Sequence, residues 1–361
     1  MILQEEILEV LEDYDRKKIT VATVGSHSAL QILKGAREEG FGTLAICKLG
    51  KEVVYQRFRT ADEILIVEDY KEMLGEKVLK KLQEKNCILV PHGSLIAYVG
   101  AENIENKLKL PIIGNRGIFR YEADRSAERR WLEEAKIKMP KETKNPEEIS
   151  SLSIVKFPGA KGGRGYFLVN SYGEFVKKSR EMLRKKRITE EDLKKATIQE
   201  YVPGVNIYIS YFYSPLKNEV ELFGMDSRYE ANIDGLTRIP AVDQANSYIE
   251  PSYVVVGNAP MVARESLLGE VFRMGDSIVN VSKKIAPPGM LGAFCLETMV
   301  THKLEFIAFE ISTRIVAGTN PFTAGSPYSY LLYGDNMSMG RRIALELKNA
   351  LKEGKEDLLI T

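Results

Sequence analysis

Ile154-Val-Lys-Phe-Pro-Gly-Ala-Lys-Gly-Gly-Arg-Gly-Tyr-Phe-Leu-Val169 joins one apolar segment to another through a loop holding Gly159, Gly162, Gly163 and Gly165. Strand, glycine-rich loop, strand is a flap that can lie over a polyphosphate. Glycines let backbone N–H groups approach phosphate oxygens without interference from a Cβ. Lys156, Lys161 and Arg164 add positive charge. The helix that follows the glycines in a dinucleotide fingerprint or a Walker loop is missing, because the chain re-enters a strand. The plainer reading is a glycine-rich hairpin with solvated basic residues, and the loop alone favours nucleotide binding only slightly over it.

Working outward, the first third alternates strands and helices. Strands are expected at 19–24, 43–47, 63–67 and 87–91, with helices at 29–39 and 71–85 between them. Strands separated by helical segments imply a parallel sheet, whose ligands bind beyond the carboxyl ends of the strands. His27, in Gly25-Ser-His-Ser28, and His92, in His92-Gly-Ser94, sit at two such ends. A helix N-terminus there offers free N–H groups to a phosphate. One histidine alone would be a turn residue or a cap, whereas two in equivalent loops favour a shared site.

The middle is different. Residues 172–195 form a charged helical region in two amphipathic segments. A strand at 197–202 runs into Pro203-Gly204, a plausible adenine hinge or an ordinary hairpin edge. Segments 207–213 and 220–225 alternate like paired strands around a turn at 216–218. Near the end, Glu297 and Glu310 interrupt two neighbouring apolar strands joined by a turn at 301–303. Buried carboxylates normally meet a cation. Hard oxygens suit Mg²⁺ on phosphates, and the plainer alternative is a buried ion pair with Arg314.

Bulk properties bound the rest. The 361 residues predict two or three domains, and a net charge of +1, from 51 basic and 50 acidic residues, argues against a broad nucleic-acid-binding surface. Three scattered cysteines indicate a reducing compartment without a cysteine-based metal site. The N-terminal residues show no signal pattern; Leu3, Ile7, Leu8 and Leu11 mark one face of a short acidic helix. No apolar run reaches membrane-spanning length. The expectation is a soluble cytoplasmic enzyme.

Together these parts resemble the ATP-grasp superfamily. Gly25-Ser-His-Ser, Val90-Pro-His-Gly-Ser, Gly114-Asn-Arg, Val155-Lys-Phe-Pro-Gly-Ala-Lys-Gly-Gly-Arg-Gly-Tyr, Met225-Asp-Ser-Arg-Tyr-Glu-Ala-Asn-Ile-Asp-Gly, Pro287-Pro-Gly-Met and Phe309-Glu-Ile-Ser-Thr-Arg are similar in order to the archaeal 5-formaminoimidazole-4-carboxamide ribonucleotide synthetase family. The resemblance implies an α/β and α+β chain, with a parallel-sheet domain over 1–125 on the acceptor-nucleotide side. An ATP-grasp domain would follow over 126–361, with a lid at about 145–205 carrying the flap. It implies a ligase of purine biosynthesis that formylates aminoimidazole carboxamide ribonucleotide with formate and ATP, through formyl phosphate, and works as a homo-oligomer with neither nucleic acid nor membrane as partner. By resemblance, Lys156, Gly162, Gly163, Glu200, Tyr201, Val202 and Glu230 bind ATP, while His27, Ser94 and Asn258 bind the acceptor. Glu297 and Glu310 would hold Mg²⁺ or Mn²⁺, and Lys156 and Arg314 would be catalytic. The superfamily's Glu-x-Asn-x-Arg motif reads Glu310-x-Ser312-x-Arg314 here, so the third metal ligand is weakened. Another ATP-grasp carboxylate–amine ligase and a non-catalytic nucleotide sensor stay open as alternatives. Retention of Lys156, Glu297 and Glu310 opposes the sensor.

Overall fold

The computed structural model describes residues 1–157, 166–247 and 253–361. Among them, thirteen strands form three sheets. The first contains β1 (Thr20–Val24), β2 (Gly42–Lys48), β3 (Glu63–Val67) and β4 (Cys87–Leu89) in the order β3-β2-β1-β4, all parallel. These are the strands expected from the alternating pattern. Their near-continuous burial in β1 and β2 is what a sheet covered by helices on both faces requires. The helix expected over 71–85 divides into a 3₁₀ turn, Tyr70–Leu74, and an α-helix, Glu76–Glu84. Gly75 is extended between them, and Asp69 caps the first piece by accepting from Lys71 N. The two charged segments of the middle become helices Tyr172–Arg184 and Glu190–Lys194, capped by Ser171 and Thr189.

A second, four-stranded sheet has the order β5-β8-β6-β7, from β5 (Glu142–Thr143), β6 (Ser153–Lys156), β7 (Tyr166–Val169) and β8 (Thr197–Glu200). Its own small core gathers Val155, Phe157, Val169, Phe175, Ile188 and Ile198. β6 and β7 pair antiparallel, Lys156 opposite Tyr166, so the apolar segments flanking the glycines do form a hairpin. The loop residues, Gly162 and Gly163 with them, lie outside the described residues.

The third sheet is antiparallel, ordered β11-β10-β9-β12-β13. It comprises β9 (Val205–Ser214), β10 (Glu219–Asn232), β11 (Tyr253–Met261), β12 (Gly292–Val300) and β13 (Phe306–Ser312). The turn expected between the paired middle strands holds Asn218 at φ 52°, a conformation that asparagine tolerates.

The end of the chain returns to its beginning. Helix Met339–Glu353 lies on helix Ala29–Glu38, and the two touch through glycines: a methyl on Gly35 would overlap the backbone of Gly340 and Arg341. Ile360 bridges Ile113, and Ile112 N donates to Thr361 O at 3.0 Å. Arg116 is buried under this return and donates to the carbonyls of Leu108 (2.9 Å), Leu110 (3.0 Å) and Thr361 (2.6 Å). Asn115 Nδ2 donates to Ala286 O (2.7 Å) and Gly289 O (2.9 Å). Gly114-Asn-Arg and Pro287-Pro-Gly-Met, two of the motifs behind the resemblance, are therefore fasteners of the scaffold. Replacing Arg116 by leucine removes three charge-assisted hydrogen bonds and leaves the Leu110 carbonyl without a donor, while Thr361 O keeps Ile112 N and Leu108 O keeps Leu110 N; a hydrogen bond to a charged donor is worth about 1.5–3 kcal/mol. We expect Arg116→Leu to cost about 3 kcal/mol or more in urea unfolding with an unchanged m-value; a loss below about 0.5 kcal/mol would show that the guanidinium does not hold the return in place.

Candidate active site

The antiparallel register assembles a polar rank across the third sheet. Asp226 on β10 faces Tyr208 on β9, Tyr208 faces Glu297 on β12, and Glu297 faces Glu310 on β13. Two residues along β10, Arg228 stands opposite Asn258 on β11. The Arg228 guanidinium stacks 3.8 Å above the Tyr208 ring and donates to Glu297 Oε1 at 2.5 Å. Glu297 is buried, as its apolar surroundings imply, at 3 % exposure. Glu310, expected to be buried too, is exposed on one side and crowded by protein on the others. The carboxylate opposite and loss of water both raise its proton affinity.

Arg314 does not pair with Glu310. Its Nη2 donates to Glu122 Oε1 at 2.8 Å, and Glu122 Oε2 accepts from Thr313 N (2.7 Å) and Thr313 Oγ1 (3.0 Å). The alternative of a simple Glu310–Arg314 ion pair is thus corrected: a carboxylate from helix Phe119–Ala123 takes the arginine instead. A further carboxylate, Glu128, is buried and accepts from Ile311 N at 2.5 Å. Burial above all, then Glu310, pushes its pKa up to about 9. Lys156 feels both Glu310 and Glu128, although burial first and Arg125 second lower its pKa.

The residues of the first sheet that the resemblance places on the acceptor side also meet. His92 is buried; its Nε2 lies 2.8 Å from Val24 O and its Nδ1 accepts from Ser94 N at 3.2 Å. Only one neutral tautomer satisfies both bonds, with the proton on Nε2. The His27 ring stacks on His92 at 5.4 Å, and Ser94 Oγ bonds Ser26 Oγ at 3.0 Å. His27 is open to solvent on one side yet enclosed on the rest. Burial, then Arg314, pushes its pKa down to about 3, so the ring is neutral. It adopts φ 53°, and its carbonyl accepts from Asn320 Nδ2 at 3.1 Å.

The two groups are joined by the exit of β13. His92 bridges Ile315, and a methyl on Gly93 would touch both Arg314 Nη2 (3.1 Å) and His27 Nε2 (3.2 Å). Arg314 therefore lies between the histidine loop and the carboxylates. The strand expected over 197–202 ends at Glu200, two residues early; Glu200 N donates to Lys141 O (2.8 Å) and Tyr201 N to Leu152 O (2.9 Å). Val202 follows, and Gly204 is required where a Cβ would stand 2.6 Å from Val300 O. Glu230 sits at a bulge in β10, its carboxyl raised by burial. Asp226 and Arg228 are legible only as part of the Met225-Asp-Ser-Arg motif, since Ser227 between them is polar too and no alternation singles them out; Glu122 and Glu128, in an Arg/Glu-rich helical run, carry no signal.

The folded chain holds the Glu128 proton up to about pH 9, against a reference of 4.5. The unfolded chain has released it, so stability falls as pH rises through that window. His27 and His92, with lowered values, act with the opposite sign only below their reference of 6.5. Between pH 7 and 9 we expect the metal-free protein to lose about 1 kcal/mol per pH unit, and Glu128→Gln to flatten that slope. Equal slopes in urea titrations of both proteins would show that Glu128 is not protonated.

A family model described as a domain of unknown function (DUF1297) matches residues 174–361, and one described as a protein of unknown function (DUF1246) matches 21–143. A curated relative from Methanocaldococcus jannaschii is 51 % identical over 361 residues, covering 100 % of both chains. One from Methanosphaera stadtmanae is 51 % identical over 360 residues, covering 100 % of this chain and 99 % of its own. Both are called 5-formaminoimidazole-4-carboxamide-1-(beta)-D-ribofuranosyl 5'-monophosphate synthetase. The crystal structure of an IMP biosynthesis protein PurP from Thermococcus kodakaraensis superposes with a TM-score of 0.74 at 31 % identity, over 94 % of this chain and 100 % of that one. N5-carboxyaminoimidazole synthetase from Staphylococcus aureus, complexed with ADP, gives 0.60 at 14 %, over 92 % and 78 %, a likeness of fold alone.

Proposed function

The chain belongs to the 5-formaminoimidazole-4-carboxamide ribonucleotide synthetase family, with the ATP-grasp fold, and we propose that it joins formate to the amine of 5-aminoimidazole-4-carboxamide ribonucleotide, converting ATP to ADP and phosphate. The observation that carries this reading is Arg314, set between His27 and Gly93 on one side and the carboxylate rank on the other. The formyl group passes from formyl phosphate to the acceptor amine between the two nucleotide sites, and a positive charge at that junction stabilises the anionic mixed anhydride. In this reading residues 1–125 form the acceptor side and 126–361 the ATP-grasp domain, with its lid at about 145–205.

Formate is an inert carboxylate, and the amine is a poor nucleophile because the ring withdraws its electrons. A formate oxygen attacks the γ-phosphorus, ADP leaves, and formyl phosphate forms. The amine nitrogen then attacks the formyl carbon, loses a proton, and phosphate departs with the bridging oxygen. Such chemistry needs neutralised charge and alignment more than covalent help. Lys156, at the foot of the flap hairpin, holds ATP phosphates. Glu200, Tyr201 and Val202 hold adenine where the second sheet passes into the third, and Glu230 holds the ribose. His27 and Ser94, both uncharged, take the acceptor with Asn258, and Arg314 steadies the mixed anhydride. Gly162 and Gly163 contribute to ATP binding, and water has to be excluded from the site, since formyl phosphate hydrolyses readily.

Glu297 and Glu310 fit Mg²⁺ or Mn²⁺: two hard carboxylates oppose each other, and Arg228 and Arg314 offset the repulsion at Glu310 only in part. Among the described residues no third acidic, histidine or cysteine ligand joins them, and Ser312 is buried opposite Cys295. When bound, the metal would shield phosphate charge, with the remaining ligands supplied by ATP and water. The homo-oligomer belongs to this reading through the family resemblance. No helix among the described residues is long and apolar enough to cross a membrane, and a cytoplasmic place belongs to the same reading.

Phosphate release should require ATP, formate and acceptor together, and omitting any one should stop it. With ¹⁸O-labelled formate, one label per turnover should enter phosphate, while the formyl group keeps the other. Unlabelled phosphate under formate-dependent turnover would rule out formyl phosphate. Lys156→Met should lower kcat/KM by about 2–4 kcal/mol of transition-state stabilisation and leave acceptor binding intact. Wild-type kcat/KM in that variant would remove Lys156 from the phosphate clamp.

A further inference from the structure

Asn258 donates from Nδ2 to Asp226 Oδ2 at 2.8 Å. A carboxylate only accepts, so the amide nitrogen must face Asp226 and the amide oxygen must face away from it. Asp226 has no freedom to change this. It is fully buried, at 0 % exposure, and a methyl on Gly318 would overlap its carboxylate, so the backbone of segment Ala317–Phe322 pins it in place. Its Oδ1 has no hydrogen-bond partner among the described residues, which leaves Asn258 as its one polar contact there. Burial pushes its pKa up to about 6, while the Asn258 hydrogen bond and Arg228 oppose that, so the group is ionised at neutral pH. Arg228 itself is taken by Glu297 and the Tyr208 ring.

A buried carboxylate whose bonding is half unmet is costly, and a scaffold role would be served better by an apolar residue. Orienting a neighbour that faces the acceptor is a role it can fill. We infer that Asp226 is a positioning residue for acceptor selectivity: it turns Asn258 so that the site presents a carbonyl oxygen to the carboxamide N–H of the acceptor nucleotide. The inference rests on the acceptor assigned in the preceding subsection. Of the donors on that nucleotide, the amine is consumed in the reaction and ribose hydroxyls are common to all nucleotides. The carboxamide N–H remains as the donor that distinguishes this base. An analogue with a carboxylate at the same ring position would set oxygen against oxygen. Sites that hydrogen-bond a substrate group discriminate strongly against analogues lacking it, because the site's own polar group is then stranded.

The test compares dissociation constants of 5-aminoimidazole-4-carboxamide ribonucleotide and its 4-carboxylate analogue, by calorimetry, for the wild type and Asp226→Asn. Asparagine is isosteric and can donate to Asn258, so the neighbouring amide is free to turn. We expect the wild type to prefer the carboxamide by about 100-fold and Asp226→Asn to lose about tenfold of that preference. ATP affinity should stay as in the wild type, and the melting temperature should not fall, because the buried charge that is removed is itself costly. Asn258→Ala should lose the preference similarly, and adding Asp226→Asn to it should change the ratio no further. A ratio unchanged in Asp226→Asn, or an additional loss of about tenfold in the double variant, would overturn the inference. Wild-type turnover is measured separately: its absence sinks the proposed reaction, while the binding ratio still decides the role of Asp226. Failure of both nucleotides to bind the wild type overturns both.

Discussion

Four carboxylates, Glu122, Glu128, Glu297 and Glu310, lie within electrostatic reach of one another, and the rest of the site depends on what neutralises them. Like charges directly opposite on antiparallel strands destabilise a sheet, and Glu297 faces Glu310 in that way. The protein answers with three cations from separate elements: Arg228 on β10, Arg314 beyond β13, and Lys156 on the flap hairpin. The answer is incomplete. Glu310 and Glu128 keep raised proton affinities in the folded chain. Where the cations fall short, a proton takes their place on Glu128, and a cation arriving at Glu310 would meet a carboxylate whose charge the protein has offset only in part.

Holding these charges in place requires the two ends of the chain to be locked together. The lock is mostly backbone and small residues. His92 bridges Ile315, Gln31 Nε2 donates to Thr319 Oγ1 and Asn320 Oδ1 at 2.7 Å each, and Asn320 reaches the His27 carbonyl. The helices Ala29–Glu38 and Met339–Glu353 approach closely because Gly35 and Gly340 carry no side chain. Arg314 is placed by this lock as much as by Glu122. Its contact with Gly93 would move with any sliding of β13 against the first sheet.

The same distances explain what the sequence disclosed. Strands β1 to β4, the flap hairpin and the Glu297/Glu310 pair each announce themselves over a few residues, through apolar runs, glycines, or a carboxylate where leucine would be expected. The partner of Arg314 does not. Glu122 lies 192 positions away along the chain, in a short helix whose one other charge, Arg120, pairs with Glu105, and no local period separates the two. Glu310 was expected to be buried because both its neighbours are apolar. Its strand lies at the edge of the sheet, so one side stays open. The glycine loop itself lies outside the described residues, and its role rests on the hairpin that carries it.

The charge pattern divides the site. On the side of the first sheet, His92 is fixed as a neutral tautomer by Val24 O and Ser94 N, and His27 stacks on it beside Arg314. Protonating His27 would set a second cation against Arg314 in a place poor in water, which is why its proton affinity falls. Neutral imidazoles, hydroxyls and an oriented amide suit recognition of a base and sugar by direction. The opposite side, with paired carboxylates and a flap lysine, suits recognition of phosphate and metal by charge. Arg314 is the boundary between the two, and a reaction that carries one small acyl group from a phosphate to an amine has to cross it.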